Sequence, residues 1–140
     1  MSATFTLNLE APLDEIERIH TAVDILAAAD GWEPDFMFQI RLALEEVGTN
    51  IVQYGYDEAG KKDICITLTS KGQSLTMEIV DDGKPFDPFS DAPSPDLDSS
   101  VADRPIGGLG IHLVRRLMDE AHYRREDGRN RVVLIKRRTS

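Results

Sequence analysis

Three short groups of residues carry side chains or backbone suited to chemistry in this 140-residue chain. Glu46 and Asn50 stand four apart in Glu46-Val-Gly-Thr-Asn50, so on a helix they are neighbours one turn apart. An amide oxygen at that place can ligate Mg²⁺, and a carboxylate beside it can hold water or accept a hydroxyl proton. In Asp81-Asp82-Gly83, Asp81 can accept a hydrogen bond from an exocyclic amine such as N6 of adenine. Gly83, without a side chain, lets the backbone approach a ring closely. In Gly107-Gly108-Leu109-Gly110, glycine backbones can turn successive amides toward one anion, and a following helix adds its positive end. Arg104, just ahead of these glycines, is equally a surface arginine or one able to reach a terminal phosphate. Taken singly, each group also reads as ordinary structure: the polar margin of a helix, a tight turn, a hinge. Taken in order, they predict a nucleotide-binding site.

The elements that must position them follow from periodicity. Phe5, Leu7 and Leu9 alternate with polar residues and read as a half-buried strand. Pro12 stands where a first helical turn tolerates proline, and Ile16, Ile19, Val23 and Leu26 follow at helical spacing up to Asp30-Gly31. A second helix opens at Pro34-Asp35, carries Ile40, Ala43, Leu44, Val47, Ile51 and Tyr54 as its buried stripe, and closes at Gly55. On a wheel centred on Val47, Asn50 falls on the shoulder of the stripe and Glu46 beyond it on the same side. Glu45 lies on the opposite, solvated flank, and Trp32 reads as a packing residue. Ile64, Ile66 and Leu68, then Leu75, Met77 and Ile79, alternate about Lys71-Gly72-Gln73 and predict an antiparallel hairpin. Asp81 ends its second strand, and alternation turns Asp82 the other way.

From Lys84 to Pro105 the pattern lapses into proline, aspartate and serine with little to bury. A loop this long inside a compact domain is commonly a functional lid or disordered. After the glycines, Leu109, Leu113, Val114 and Leu117 predict a third helix, and 122–126 with 131–136 a last hairpin around Asp127-Gly128. The order β-α-α-β-β-loop-α-β-β predicts an α+β fold: a two-layer sandwich with helices on one face of a mostly antiparallel sheet.

Composition narrows the class. The chain has the length of one domain, taken as 1–140. A net charge of −9 argues against direct nucleic-acid binding, because a phosphate backbone would be repelled. One cysteine, Cys65, cannot form an intramolecular disulfide and suits a reducing compartment. No signal peptide or membrane-spanning run is legible, so the expectation is a cytoplasmic protein. Arginine and lysine gather in the C-terminal quarter, from Arg115 to Arg138, which reads as a solvated surface or a dock for an acidic partner. His20, His112 and His122 lack ligand spacing, and no Cys/His cluster suggests zinc.

In order and spacing, these groups resemble the Bergerat-fold (GHKL, histidine kinase-like) ATPases, the superfamily of gyrase, Hsp90, histidine kinases and MutL. Within it the chain is similar to the anti-sigma-factor serine kinases of the RsbW and SpoIIAB type. Asn50-Ile-Val-Gln-Tyr-Gly-Tyr56 resembles their asparagine, apolar pair and closing Gly-Tyr, and Asp81-Asp-Gly-Lys-Pro-Phe-Asp-Pro88 their variant first glycine box. The resemblance implies ATP and Mg²⁺ as cofactors, with Asn50 as metal ligand and Glu46 as general base or water-orienting carboxylate. It implies that Asp81 and Gly83 bind adenine, that Gly107, Gly108 and Gly110 lie along the phosphates, and that 84–105 forms an ATP lid. Its implied function is an anti-sigma factor with protein-serine/threonine kinase activity that binds a sigma factor and phosphorylates a STAS-type anti-sigma-factor antagonist. It further implies a homodimeric habit. Two departures stand out: Pro85 replaces the second glycine of the wider superfamily's first box, and Gly48 sits mid-helix, where close packing or ligand approach would explain it. Two other readings share the fold: a non-catalytic, nucleotide-responsive partner-binding module, and a histidine-kinase catalytic domain, for whose phosphoacceptor helices the chain lacks room.

Overall fold

The computed structural model describes residues 2–10, 15–56, 62–91 and 108–138. Eight elements lie within them: β1 (Ser2–Leu9), α1 (Ile16–Asp30), α2 (Pro34–Gly55), β2 (Ile64–Lys71), β3 (Ser74–Asp81), α3 (Gly108–Leu117), β4 (Glu120–Glu126) and β5 (Arg129–Arg137). The strands form one five-stranded sheet in the order β1-β2-β3-β5-β4, every neighbouring pair antiparallel. The helices pack on it, which makes the α+β sandwich that the element order predicts.

Alternation decides which face they cover. Ile64, Ile66 and Leu68 of β2, Leu75, Met77 and Ile79 of β3, and Val132 and Leu134 of β5 are buried on one face. They meet Ile19, Val23 and Leu26 of α1, Ile40, Leu44, Val47 and Ile51 of α2, and Ile111 and Val114 of α3 in one core. Two-residue turns fix the registers. Asp127 and Gly128 both take positive φ (54° and 74°) between Glu126 and Arg129, the backbone that a tight hairpin requires. Gly31 closes α1 in the left-handed conformation, and Trp32 beyond it meets Phe36 edge-on at 5.0 Å, the packing role expected of it.

Four features depart from the sequence reading. Helix α1 begins at Ile16, not at a proline-led turn; Glu15 precedes it without a side-chain cap, because its carboxylate accepts from Glu10 N and Arg18 instead. Pro12 lies outside the described residues. Gly108 and Gly110 already belong to α3, so these glycines form the first turn of the helix rather than a loop before it. The buried stripe of α3 is Ile111 and Val114, continued by Met118 just past the helix end, while Leu113 is 43% exposed: an apolar-rich helix allows two stripes, and only the position of the sheet selects one. Finally, the root of the irregular segment does have something to bury. Phe86 is buried with its ring 5.5 Å from that of Tyr54, and Pro88 is buried beside it. An isolated aromatic in a proline-rich run has no periodicity to announce it.

Candidate functional site

Helix α2 is the axis of the site. Its 22 residues extend over roughly 33 Å at 1.5 Å per residue, so it touches several parts of the molecule in turn. Asn50, expected on the shoulder of the buried stripe, is wholly buried. Its Nδ2 donates to Glu46 O at 2.8 Å, and its Oδ1 is buried without a partner among the described residues. Leaving a buried acceptor unpaired costs about 1–3 kcal/mol, so such an atom calls for an explanation.

One turn earlier, Glu46 is half-buried. Burial pushes its carboxyl above the ordinary 4.5, and the charge of Glu45 adds to the shift. Its carboxylate lies against the first turn of α3: a Cβ on Gly110 would fall on the Glu46 side chain. Glu45, expected to be solvated, instead pairs with His20 of α1 at a half-buried contact, because α1 packs along that flank of α2.

At its far end α2 meets the acid-glycine turn. Gly55 O accepts from Lys84 N at 2.9 Å, and a Cβ on Gly83 would lie 2.5 Å from that carbonyl oxygen. From Glu46 to Gly55 is about 13 Å along the axis, so one helix touches both the α3 turn and the Asp81-Gly83 turn. Tyr56, just past the helix, donates to the Asp82 carboxylate and accepts from Asp82 N at 3.0 Å. The residue that closes the Asn50–Tyr56 run thus fastens the exposed half of the acid-glycine turn.

Asp81 is wholly buried. Its Oδ1 accepts from Gly83 N at 2.9 Å and from Asn130 Nδ2 at 2.9 Å, while Oδ2 is buried with no partner among the described residues. Burial pushes its pKa above the ordinary 3.8; Asn130, Gly83 N and the charge of Arg125 oppose that rise. The turn is held from β4 as well, where Arg125 donates to Gly83 O at 2.7 Å.

Asn130, Tyr123 and Arg125 belong to none of the three sequence motifs. Asn130 is 1% exposed and faces Asp81 in the β3–β5 register. Beyond its bond to Asp81, it donates to Lys84 O at 2.8 Å and accepts from Phe86 N at 3.2 Å and from the Tyr123 hydroxyl at 2.6 Å. The sequence signal that points to it is the Asp127-Gly128 turn, which puts Asn130 on the same face as Val132 and Leu134. That β5 lies beside β3 is a matter of topology.

Of the residues singled out in the sequence, Glu46, Asn50 and Gly110 come together at one end of this constellation, and Asp81 and Gly83 at the other. Gly108 is helical backbone beside the first group. Arg104 and Gly107 lie outside the described residues, as does the 84–105 segment beyond Asp91. Gly48 has no crowding to explain it, since a Cβ there would meet nothing within 4 Å. Among the described residues no cluster of three or more His, Cys, Asp or Glu side chains is arranged for a metal ion. A hard cation at Asn50 would therefore complete its shell from phosphate oxygens and water, as Mg²⁺ commonly does. A separate cavity of about 520 Å³, lined by Phe36, Gln39, Gln73 and Arg138 among others, opens at the other end of β3, roughly 23 Å from Asp81 along the strand.

Comparison with known proteins shows the family. A family model described as a histidine kinase-like ATPase domain matches residues 9–136. The chain is 30% identical over 133 residues to the serine/threonine-protein kinase BtrW of Bordetella bronchiseptica, covering 95% of this chain and 93% of that protein. It is 27% identical to the serine-protein kinases RsbW of Halalkalibacterium halodurans, over 128 residues, and Bacillus cereus, over 126 residues. Those alignments cover 89% and 87% of this chain and 78% of each relative. A domain of this type implies ATP binding. The chain belongs to the histidine kinase-like ATPase domain family.

Proposed function

We propose that this protein is an ATP-dependent anti-sigma factor with protein-serine/threonine kinase activity, which binds a sigma factor and phosphorylates a STAS-type antagonist of anti-sigma factors. The observation that carries the nucleotide part is that two wholly buried side chains, Asn50 and Asp81, each keep an oxygen (Oδ1 and Oδ2) with no partner among the described residues. Relatives named RsbW and BtrW, aligned over most of the chain, support the kinase and partner parts. Such a regulator would work in the cytoplasm, where sigma factors meet RNA polymerase. Among the described residues no helix is long and apolar enough to cross a membrane.

Each residue then has a definite task. Asp81 Oδ2 accepts the exocyclic amine of adenine, with Gly83 giving the ring room beside it. Asn50 Oδ1 would hold Mg²⁺, which would offset the negative charge of the phosphates. Gly108 and Gly110, in the first turn of α3, would face the phosphates, and Gly107 and Arg104, outside the described residues, would join them. Glu46 takes the proton from the attacking serine hydroxyl as its oxygen bonds to the γ-phosphorus and the bond to ADP breaks. A carboxyl with a raised pKa is a stronger base than an ordinary one, and orientation supplies most of the remaining advantage.

The test is calorimetric titration of the purified protein with ATP and Mg²⁺, with Asp81→Asn and Asn50→Ala alongside. Binding should weaken in Asp81→Asn, and its Mg²⁺ dependence should vanish in Asn50→Ala. Incubation with γ-labelled ATP and an antagonist protein should place the label on a serine or threonine. Binding without transfer to any antagonist would leave a nucleotide-responsive partner-binding module, and absence of binding by folded protein would overturn the nucleotide site.

A further inference from the structure

We propose that Asn130 is the positioning residue that gives this site its base specificity and ties the root of the 84–105 segment to the base-reading carboxylate. The proposal rests on the nucleotide reading above and goes beyond it to a residue outside the three sequence motifs. An asparagine side chain has two donor hydrogens and one acceptor oxygen with two lone pairs. In Asn130 all four are used: the donors go to Asp81 Oδ1 and Lys84 O, and the acceptor takes Phe86 N–H and Tyr123 O–H. A side chain this fully engaged in a buried position cannot turn, so what it holds is held in one orientation.

It holds two things. The first is the Asp81 carboxylate. With Oδ1 occupied by Asn130 and Gly83 N, Oδ2 is the oxygen left open among the described residues, and a carboxylate oxygen only accepts. Such a site takes an amino group, as adenine offers, and rejects the keto oxygen that guanine carries in that place. The second is the backbone at 84–86, held by one bond from each end of the amide, just where Phe86 enters the core. The same side chain thus fixes the base reader and the stem of the segment that follows it.

Asn130→Asp isolates the donor end, because it keeps shape and acceptor oxygen and loses the two N–H groups. It also sets a second carboxyl beside Asp81, so the two share a proton when one is available. The other groups with charge or titratable protons around Asp81 are Asp82, Arg125, Tyr123 and Tyr56, all of which the variant retains. At neutral and higher pH the variant should bind ATP about tenfold or more weakly and lose a similar factor of its preference for ATP over GTP. As pH falls, the carboxyl introduced by the substitution takes up a proton and can donate again, so ATP affinity in the variant should recover while that of the wild type does not. An unchanged ATP-to-GTP ratio, or a loss with no recovery in acid, would overturn the assignment.

A wild-type measurement stands beside this should the variant not fold. In the free protein the Asn130 side-chain amide protons should exchange with solvent far more slowly than those of an exposed asparagine, and their resonances should shift on addition of ADP. Fast exchange would overturn the clamp regardless of nucleotide, and resonances unmoved by bound ADP would overturn its link to the base. If the wild type binds no nucleotide, the nucleotide reading and the base specificity fall together, while slow amide exchange would still uphold the tie to the 84–86 backbone.

Discussion

The Glu46 carboxylate occupies the space that a side chain on Gly110 would need. A glycine at the start of α3 therefore has a reason independent of any phosphate: it admits the carboxylate of α2 to the positive end of α3, where helix amides favour negative charge.

Gly110→Ala tests that relationship. The obstructing atoms belong to a flexible, half-buried side chain, so Glu46 swings aside and the fold survives. Stability should change by no more than about 1 kcal/mol, since alanine is also the better helix former. Phosphate transfer should fall by about 10²-fold or more, as for Glu46→Gln, whose proton acceptor is gone, while ATP affinity is largely kept in the latter. Wild-type transfer rates in either variant would remove Glu46 from the mechanism.

Gly83→Ala meets a harder wall. Its Cβ would lie 2.5 Å from Gly55 O, a backbone atom that already accepts from Lys84 N. The helix end and the turn must separate, at a cost of about 1–3 kcal/mol. A denaturant midpoint unchanged from wild type would contradict the close approach.

Gly48→Ala should do the opposite. With nothing within 4 Å of the new methyl, the helix gains the intrinsic preference for alanine, about 1 kcal/mol. Thermal unfolding should move up by roughly 3 °C. A lower midpoint would mean that a neighbour occupies that space in solution.

The buried Asp81 carboxyl has a pH signature. Its pKa is raised in the folded state by burial, so the folded protein binds this proton more tightly than the unfolded chain. The contribution to stability is fully present below the ordinary value of 3.8 and is lost as pH rises through the raised folded value. Glu46, raised above 4.5, acts in the same sense. Asp81→Asn should therefore flatten the stability profile between mildly acidic and neutral pH and be no less stable than the wild type at neutrality, while losing ATP affinity. Parallel profiles for the two proteins would show that Asp81 is not held at this cost.

Local structure and the order of the parts were legible in the amino-acid sequence. Periodicity located every strand and helix of the described residues, and turn chemistry placed the hairpins at Gly72 and at Asp127-Gly128. The spacing of Glu46 and Asn50 put them one turn apart. The stripe of α3, the start of α1, the partner of Glu45 and the burial of Phe86 were not legible, because in each a neighbour or contact outside the local pattern decides the outcome. Long-range packing set β5 beside β3, which places Asn130 opposite Asp81 although 49 positions separate them. It also brought Gly110 to Glu46 and Gly83 to Gly55. Propensity and periodicity settle which face of an element is apolar, whereas the partner of that face is chosen by packing of the whole core. Asn50 Oδ1 and Asp81 Oδ2 are left open among the described residues because that packing removed both residues from water.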